Sequence, residues 1–151
     1  MTAQQIIETM RGIGANPMFL EFVLDREYSC PDPAYITEEF VPWFWKEQHR
    51  LGVAIYKPET NDCDNFSVRA MVDMQRAHLI ASPNAKTGIS AGLFFYQPDR
   101  GGSPHAILVF IYWDGTSYRV KFLEPQPNAT TFGEVTLSKQ EIQSCLGYLF
   151  C

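Results

Sequence analysis

Apolar positions in the first half of the chain recur every three or four residues, which is the period of one helix face. Three segments follow this period: residues 2–12, residues 34–51 and residues 63–80. The last repeat is the clearest, and it is carried by Phe66, Ala70, Met71, Met74 and Ala77. We predict a helix in each segment, with Pro42 in the first turn of the second helix or at a kink. Residues 18–24 are short and apolar, so their pattern leaves helix and strand open.

The second half changes to segments rich in aromatic and β-branched residues, separated by glycine, proline and aspartate. We predict strands at residues 91–96, 106–113, 118–123 and 134–136. The pair Asp114-Gly115, between the second and third strands, is a strong hairpin signal. A last helix is predicted over residues 138–147, where Ser138 and Glu141 have the spacing of a capping box.

Helices followed by strands, without a βαβ alternation, predict an α+β fold. We expect an N-terminal helical half packed on a C-terminal antiparallel sheet, with Cys63 on the helix that lies against the sheet. A chain of 151 residues is long enough to bury its own core and too short for two cores. A single domain over residues 1–151 is therefore expected.

Composition and charge narrow the range of partners. Hydrophobic residues make up 46% of the chain, and the net charge is −5 without any cluster of lysine and arginine. A nucleic-acid partner is excluded, because phosphate binding needs concentrated positive charge. The first residues lack the pattern of a secretory signal, and no apolar run reaches the roughly 18 residues of a membrane helix. We therefore expect a cytoplasmic protein with no membrane partner.

Three residues stand out as candidates for chemistry. Cys63 opens the clearest predicted helix, after Asp62 as N-cap, at the end where the helix dipole favours a thiolate. His105 stands at the entrance of the second predicted strand, and Glu124 follows the third. Counting outward from a turn centred on residues 114–115 places His105 opposite Glu124. A cysteine facing a histidine that a carboxylate orients is the arrangement of acyl-transfer catalysis.

The segments around these residues carry a family resemblance. They are Asp62-Cys63-Asp64-Asn65-Phe66, Pro104-His105-Ala106 and Leu123-Glu124-Pro125-Gln126. Their order resembles that of papain-like cysteine peptidases, and the strings are similar to the C-terminal protease domain of the Marasmius oreades agglutinin and its lectin-less relatives. The resemblance covers about residues 25–137. It implies a papain-like fold and a peptide or protein substrate, with Cys63 as nucleophile, His105 as general base and acid, and Glu124 orienting the imidazole.

The resemblance also implies dependence on Ca²⁺ or Mn²⁺, for which Asp62 and Asp64 are the candidate ligands. One feature departs from the family pattern. Papain-like enzymes commonly place an oxyanion-hole glutamine shortly before the nucleophile, whereas this chain has Lys57 there and its nearest upstream glutamine is Gln48. The donors of an oxyanion hole are therefore left open.

Functions from different classes stay open on these residues. The first is a cysteine-dependent hydrolase, a peptidase or amidase, with transglutaminase-like acyl transfer as a variant. The alternative is a catalytically silent papain-like domain that serves as a binding or assembly module and keeps Cys63 as a structural thiol. A third is a module that binds a divalent cation through Asp62, Asp64 and His105.

The remaining signals are interpreted as structural or as contacts. Cys30, Cys145 and Cys151 have no comparable setting, and no CxxC pair is present, so free thiols are expected, with Cys145 on the apolar side of the last helix. Trp43 and Trp45 cannot both face inward on one helix. One of them is expected to be exposed, at a groove or at a subunit contact in a homodimer.

Overall fold

The computed structural model describes residues 1–58, 62–127, 129 and 132–151. Its helices are α1 (Ala3–Gly12), α2 (Val41–Arg50), α3 (Cys63–Ala81) and α4 (Lys139–Gln143). A π-helix over Tyr35–Phe40 runs directly into α2. The strands are β1 (Leu20–Val23), β2 (Tyr28–Ser29), β3 (Gly88–Ile89), β4 (Ala91–Tyr96), β5 (His105–Trp113), β6 (Tyr118–Glu124), β7 (Gly133–Val135) and β8 (Cys145–Phe150).

One mixed sheet organises the described part of the chain, with six strands in the order β1-β8-β4-β5-β6-β7. Its neighbours are antiparallel except β1 and β8, which run parallel, and β2 and β3 form a separate parallel pair. The predicted α+β class is confirmed. The expectation of a purely antiparallel C-terminal sheet is wrong, because β1 comes from the N-terminal half. The single domain over residues 1–151 stays a prediction.

The central strand β5 is covered on both faces. Ile107, Val109 and Ile111 point to one face, where they pack with apolar side chains of α1. Leu108 and Phe110 point to the other face, where α2 and α3 cover them. Because strand side chains alternate between faces, a strand buried on both sides needs an unbroken apolar run, which β5 has. The Cys63-bearing helix therefore packs on the sheet, as predicted.

The C-terminal segment departs from the helix predicted over residues 138–147. Ser138 caps α4 together with Glu141, so the predicted helix start is confirmed. However, α4 ends at Gln143, and β8 begins at Cys145 and runs between β1 and β4. The helix prediction fails there because this apolar run pairs with strands on both sides, and burial between strands outweighs a local helix pattern. The thiol of the last helix is thus a buried thiol of the sheet.

The segments of the first half follow the predictions with one local change. Helices are present over most of residues 2–12, 34–51 and 63–80, and residues 18–24 resolve as strand β1. Pro42 lies in the first turn of α2, as one of the two alternatives had it. The change is the π-helix before it, in which the Val41 amide bonds to the Ile36 carbonyl. Proline has no amide hydrogen for the carbonyl four residues earlier, which favours this wider turn.

The predicted strands of the second half are present as β4, β5, β6 and β7, with small shifts at their ends. The short pair β2 and β3 was not predicted, because two residues are too few for a pattern to show. Among the described residues, no helix combines the length and the apolar content needed to cross a membrane.

A close approach of β4 and β8 depends on Gly92. A Cβ atom at Gly92 would lie 2.1 Å from the Leu149 carbonyl oxygen, whereas one at Gly12 would meet nothing within 4 Å. We expect Gly92→Ala to lower the free energy of unfolding by about 1–3 kcal/mol, the usual cost of overpacking. The matched Gly12→Ala should change it by about 0.5 kcal/mol or less. Urea denaturation checks both, and equal midpoints would contradict the packing described.

Candidate functional site

The start of α3 positions Cys63. Asp62 is the N-cap and forms a capping box with Asn65, whose side chain accepts from the Asp62 amide at 3.2 Å. Cys63 is thus the first helical residue, as predicted, and it is partly exposed. Ser67 Oγ lies 2.8 Å from the Cys63 carbonyl oxygen and 3.0 Å from the Ala106 carbonyl oxygen. This hydroxyl fastens the first turn of α3 to the beginning of β5.

Three strand ends meet beside that turn. Tyr96 ends β4, His105 begins β5 and Glu124 ends β6. Because these strands are antiparallel neighbours in the order β4-β5-β6, the end of one lies beside the start of the next. The ring of Tyr96 contacts the His105 imidazole edge-on, with centroids 5.8 Å apart. This edge of the sheet therefore presents the imidazole to the N-terminus of α3.

His105 and Glu124 form the closest polar contact of the site. The distance from His105 Nε2 to Glu124 Oε2 is 2.6 Å, and Glu124 Oε1 accepts from the Gln126 amide at 3.0 Å. Glu124 is buried, with 5% of its surface exposed. A carboxylate buried in this way needs such partners, since an unpaired charge in the interior is costly.

The register that brings them together differs from the one counted on the sequence. Trp113 pairs with Tyr118 and Leu108 pairs with Leu123, so the turn spans residues 114–117 rather than centring on residues 114–115. His105 is consequently displaced along the strand from the position opposite Glu124. The two side chains still meet, because diagonal neighbours on adjacent strands are within reach of long side chains.

The surroundings of His105 keep its imidazole protonated at neutral pH. Burial by itself would lower its pKa, but hydrogen bonds with Cys63 and with the Glu124 carboxylate outweigh burial and raise the pKa to about 10. Since Nε2 is engaged by Glu124, Nδ1 is the nitrogen left for the thiol. The cluster of Cys63, His105 and Glu124 therefore holds a thiol, a cation and an anion in one line.

This arrangement predicts a pH dependence of stability. A histidine whose pKa is raised from 6.5 to about 10 in the folded state stabilises it fully below 6.5, and that contribution is lost as pH rises through 10. We expect Glu124→Gln to be less stable than wild type near neutral pH, with the gap closing toward pH 10. Urea unfolding of both proteins across this range measures the gap. A gap of constant size would contradict the ion pair.

The other cysteines behave as expected for thiols outside the site. All four cysteines are free. Cys145 is buried in the sheet, and this burial raises its pKa to about 11. Burial also raises the pKa of Cys151, whose sulfur lies 3.7 Å from that of Met71. The expectation that these thiols are structural fits their surroundings.

The candidate metal ligands do not form a cation site in the described residues. There is no group of three or more histidine, cysteine, aspartate or glutamate side chains there that could hold a metal ion. The pKa of Asp64 is raised chiefly because it shares a hydrogen bond with Asp62. Two carboxylates sharing a proton are a poor match for Ca²⁺, which takes roughly six to eight oxygen ligands. The expected metal-binding character is thus corrected.

A second feature, a groove between the π-helix, α2 and α3, was missed on the sequence. Its volume is about 450 Å³. It is lined by Tyr35, Glu39, Phe40, Trp43, Asp73, Arg76, Ala77, Ile80 and Ala81. We call this the aromatic groove. The exposed tryptophan expected at residue 43 or 45 was its signal: Trp43 is 44% exposed and lines the groove, while Trp45 is 41% exposed and stacks on His49 outside it.

The polar groups of the aromatic groove have capacity for a ligand. Burial raises the pKa of Asp73, although the neighbouring arginines oppose it. Within the part of the chain that the structure describes, neither the Asp73 carboxylate nor the Arg76 guanidinium forms a hydrogen bond or a close ion pair. Half-buried groups without partners cost free energy that a bound ligand would recover.

Comparisons with known proteins concern the whole chain. No family model and no curated protein matches it. Solved structures do match over 99% of its length. A structure titled as the PSL1a-E64 complex aligns with a TM-score of 0.71 and 21% identity. The Polyporus squamosus lectin, bound to the human-type influenza-binding epitope Neu5Acα2-6Galβ1-4GlcNAc, aligns with a TM-score of 0.68 and 21% identity.

These matches correct the family expectation. The chain shares its fold with the lectin and with PSL1a, and neither title names a peptidase. The predictions of a papain-like cysteine peptidase, of a cysteine-dependent hydrolase and of an enzyme are therefore wrong on this comparison, and the alternative of a binding module agrees with it better. The chain spans about half the length of these solved chains, 50% and 49%. The roles assigned to Cys63, His105 and Glu124 stay predictions.

Proposed function

We propose that the chain is a carbohydrate-binding module and that the aromatic groove is its ligand site. The observation that carries the proposal is the combination of exposed aromatic faces with polar groups that lack partners. Tyr35 and Trp43 line one side, Asp73 and Arg76 line the other, and Glu39 stands beside them. Ligand sites are typically concave and largely apolar, with a few convergent polar groups that fix orientation.

A sugar ring matches both kinds of group. One face of a pyranose consists of C–H bonds, which pack on an aromatic ring, and its rim consists of hydroxyls. The Asp73 carboxylate accepts from such hydroxyls, and the Arg76 guanidinium donates to their oxygens. A peptide would need main-chain partners along the groove, and helices offer none from their middle turns. The groove chemistry thus favours a carbohydrate over the peptide substrate first expected.

The fold comparison supports the same class of function. One solved chain of this fold is a lectin whose title names a bound sialylated trisaccharide. The groove lies between helices that belong to the aligned part of the chain, since the alignment covers 99% of it. Whether this chain takes a sialylated or a neutral glycan is a question for experiment, because Arg76 and Asp73 carry opposite charges.

In this proposal the cluster of Cys63, His105 and Glu124 is a supporting network rather than a ligand site. It joins the first turn of α3 to the ends of β5 and β6. The groove residues Asp73 and Arg76 lie further along the same helix. Fixing the start of α3 on the sheet therefore fixes the wall that carries them, and Cys63 serves as a structural thiol.

A glycan array probed with the purified chain tests the proposal. We expect binding to one class of glycans, inhibited by the free sugar in solution, since a groove of this size holds a terminal sugar and its neighbour. The Asp73→Asn variant should bind the same class more weakly, because an amide accepts hydroxyl hydrogen bonds less strongly than a carboxylate. An array without signal, or binding that Asp73→Asn leaves unchanged, would overturn the assignment.

A further inference from the structure

We propose that β1 is an interface through which two copies of the chain pair edge to edge. The strand ends the main sheet, so within the described residues its outer edge has no neighbouring strand. Such an edge presents unpaired amide and carbonyl groups in a row, which favours the addition of another strand. This surface is separate from the aromatic groove, and its assignment does not rest on carbohydrate binding.

The side chains on and around β1 are those of an interface rather than of a protected edge. Met18, Phe19 and Leu24 expose 67%, 79% and 62% of their surfaces, and Phe22 exposes 49%. Soluble proteins usually guard an edge with lysine, proline or inward charges. The single acidic residue of β1, Glu21, does not act in this way, because Arg11 and Tyr148 already hold its carboxylate.

The area is sufficient for a dimer of modest affinity. Taking about 150–250 Å² for a large side chain, the four exposed side chains present roughly 500 Å² of apolar surface per chain. Pairing two copies would bury about 1,000 Å² before main-chain contacts are counted, which is the lower bound expected of a specific interface. An isolated patch of this size on a monomer is at the upper end of what is usual.

Charge complementarity favours a second copy as the occupant. At the beginning of β1 a cleft of about 290 Å³ is lined by Arg11, Asn16, Pro17, Met18, Phe19, Leu20 and Glu21. After β1 the exposed acidic residues Asp25 and Glu27 follow the exposed Leu24. An antiparallel two-fold pairing places the end of one β1 against the beginning of the other. Leu24 of one copy then enters the cleft of its partner, with the acidic residues near the partner's Arg11.

The consequence for binding is avidity. Two linked grooves engage two sugars on one surface, and the second contact forms at high effective concentration. A dimer built through β1 leaves the aromatic groove of each copy open, since the groove is formed by the π-helix, α2 and α3. This gain follows if the groove binds glycans, but the dimer itself does not depend on it.

Analytical ultracentrifugation of the full chain tests the interface. We expect a reversible dimer at micromolar concentrations, whose dissociation constant rises at least about ten-fold in Leu24→Glu. The matched control is Leu79→Glu on α3, since Leu79 is 54% exposed and lies outside both surfaces. Both leucines are exposed, so neither change should unfold the chain. A monomeric wild type, or a dimer that Leu24→Glu and Leu79→Glu affect equally, would overturn the proposal.

Discussion

Replacing Trp43 by alanine is expected to weaken carbohydrate binding by at least about 30-fold, the equivalent of roughly 2 kcal/mol lost at a hot spot. The physical reason is the loss of the largest aromatic face of the groove, on which the C–H face of a sugar would pack. Tryptophan is also the residue type that most often dominates such sites. Isothermal titration with a glycan selected on the array gives the affinities of wild type and variant.

The chain offers a matched control in Trp45. It lies on the same helix, exposes a similar fraction of its surface and stacks on His49 instead of lining the groove. Trp45→Ala should therefore leave the affinity within about two-fold of wild type, as for contacts outside a hot spot. Equal losses in Trp43→Ala and Trp45→Ala would place the ligand elsewhere on α2 or attribute the effect to helix packing.

The second large effect is expected in the site of Cys63, His105 and Glu124. His105→Ala should lower the free energy of unfolding by about 3 kcal/mol, because it leaves a buried carboxylate without its cation. The lower end of the usual range applies, since the His105 side chain is 24% exposed. Chemical denaturation near neutral pH measures the loss. The exposed pair of Lys121 and Glu134 is the comparison, and Lys121→Ala should cost about 1 kcal/mol or less.

A double-mutant cycle separates this pairing from simple truncation. If Glu124 is costly in His105→Ala because its charge has no partner, removing both should cost less than the sum of the single losses. We expect a coupling of about 1–3 kcal/mol between His105→Ala and Glu124→Ala. Additive losses would mean that the two side chains stabilise the fold independently, against the 2.6 Å contact described.

Local signals were sufficient for the elements that local interactions determine. The helix start at Asp62 follows from a cap and a box partner three residues on, and the hairpin of β5 and β6 follows from Asp114-Gly115 between two apolar runs. The same information misplaced the register of that hairpin. Asp114 Oδ1 accepts from the amides of Thr116 and Ser117, which enlarges the turn beyond the two residues assumed.

The remaining features depend on contacts distant in the sequence. β8 pairs with β1, for example Gly147 with Leu20, and no pattern within the last residues reveals that partner. The absent side chain of Gly147 is the clue, because a Cβ there would lie 2.5 Å from Leu20 Cβ. The aromatic groove likewise joins Trp43 to Asp73, which are on different helices. Sequence reasoning gave weight to the cysteine and histidine instead, and so favoured an enzyme.

The central claim, that a glycan binds in the aromatic groove, is tested most directly by the indole N–H signals of the three tryptophans. The chain contains Trp43, Trp45 and Trp113, so a nitrogen-15 correlation spectrum resolves one indole signal for each. On titration with the glycan selected on the array, the Trp43 signal should shift progressively while those of Trp45 and Trp113 stay in place. A saturable interaction that leaves the Trp43 signal unmoved would contradict the account.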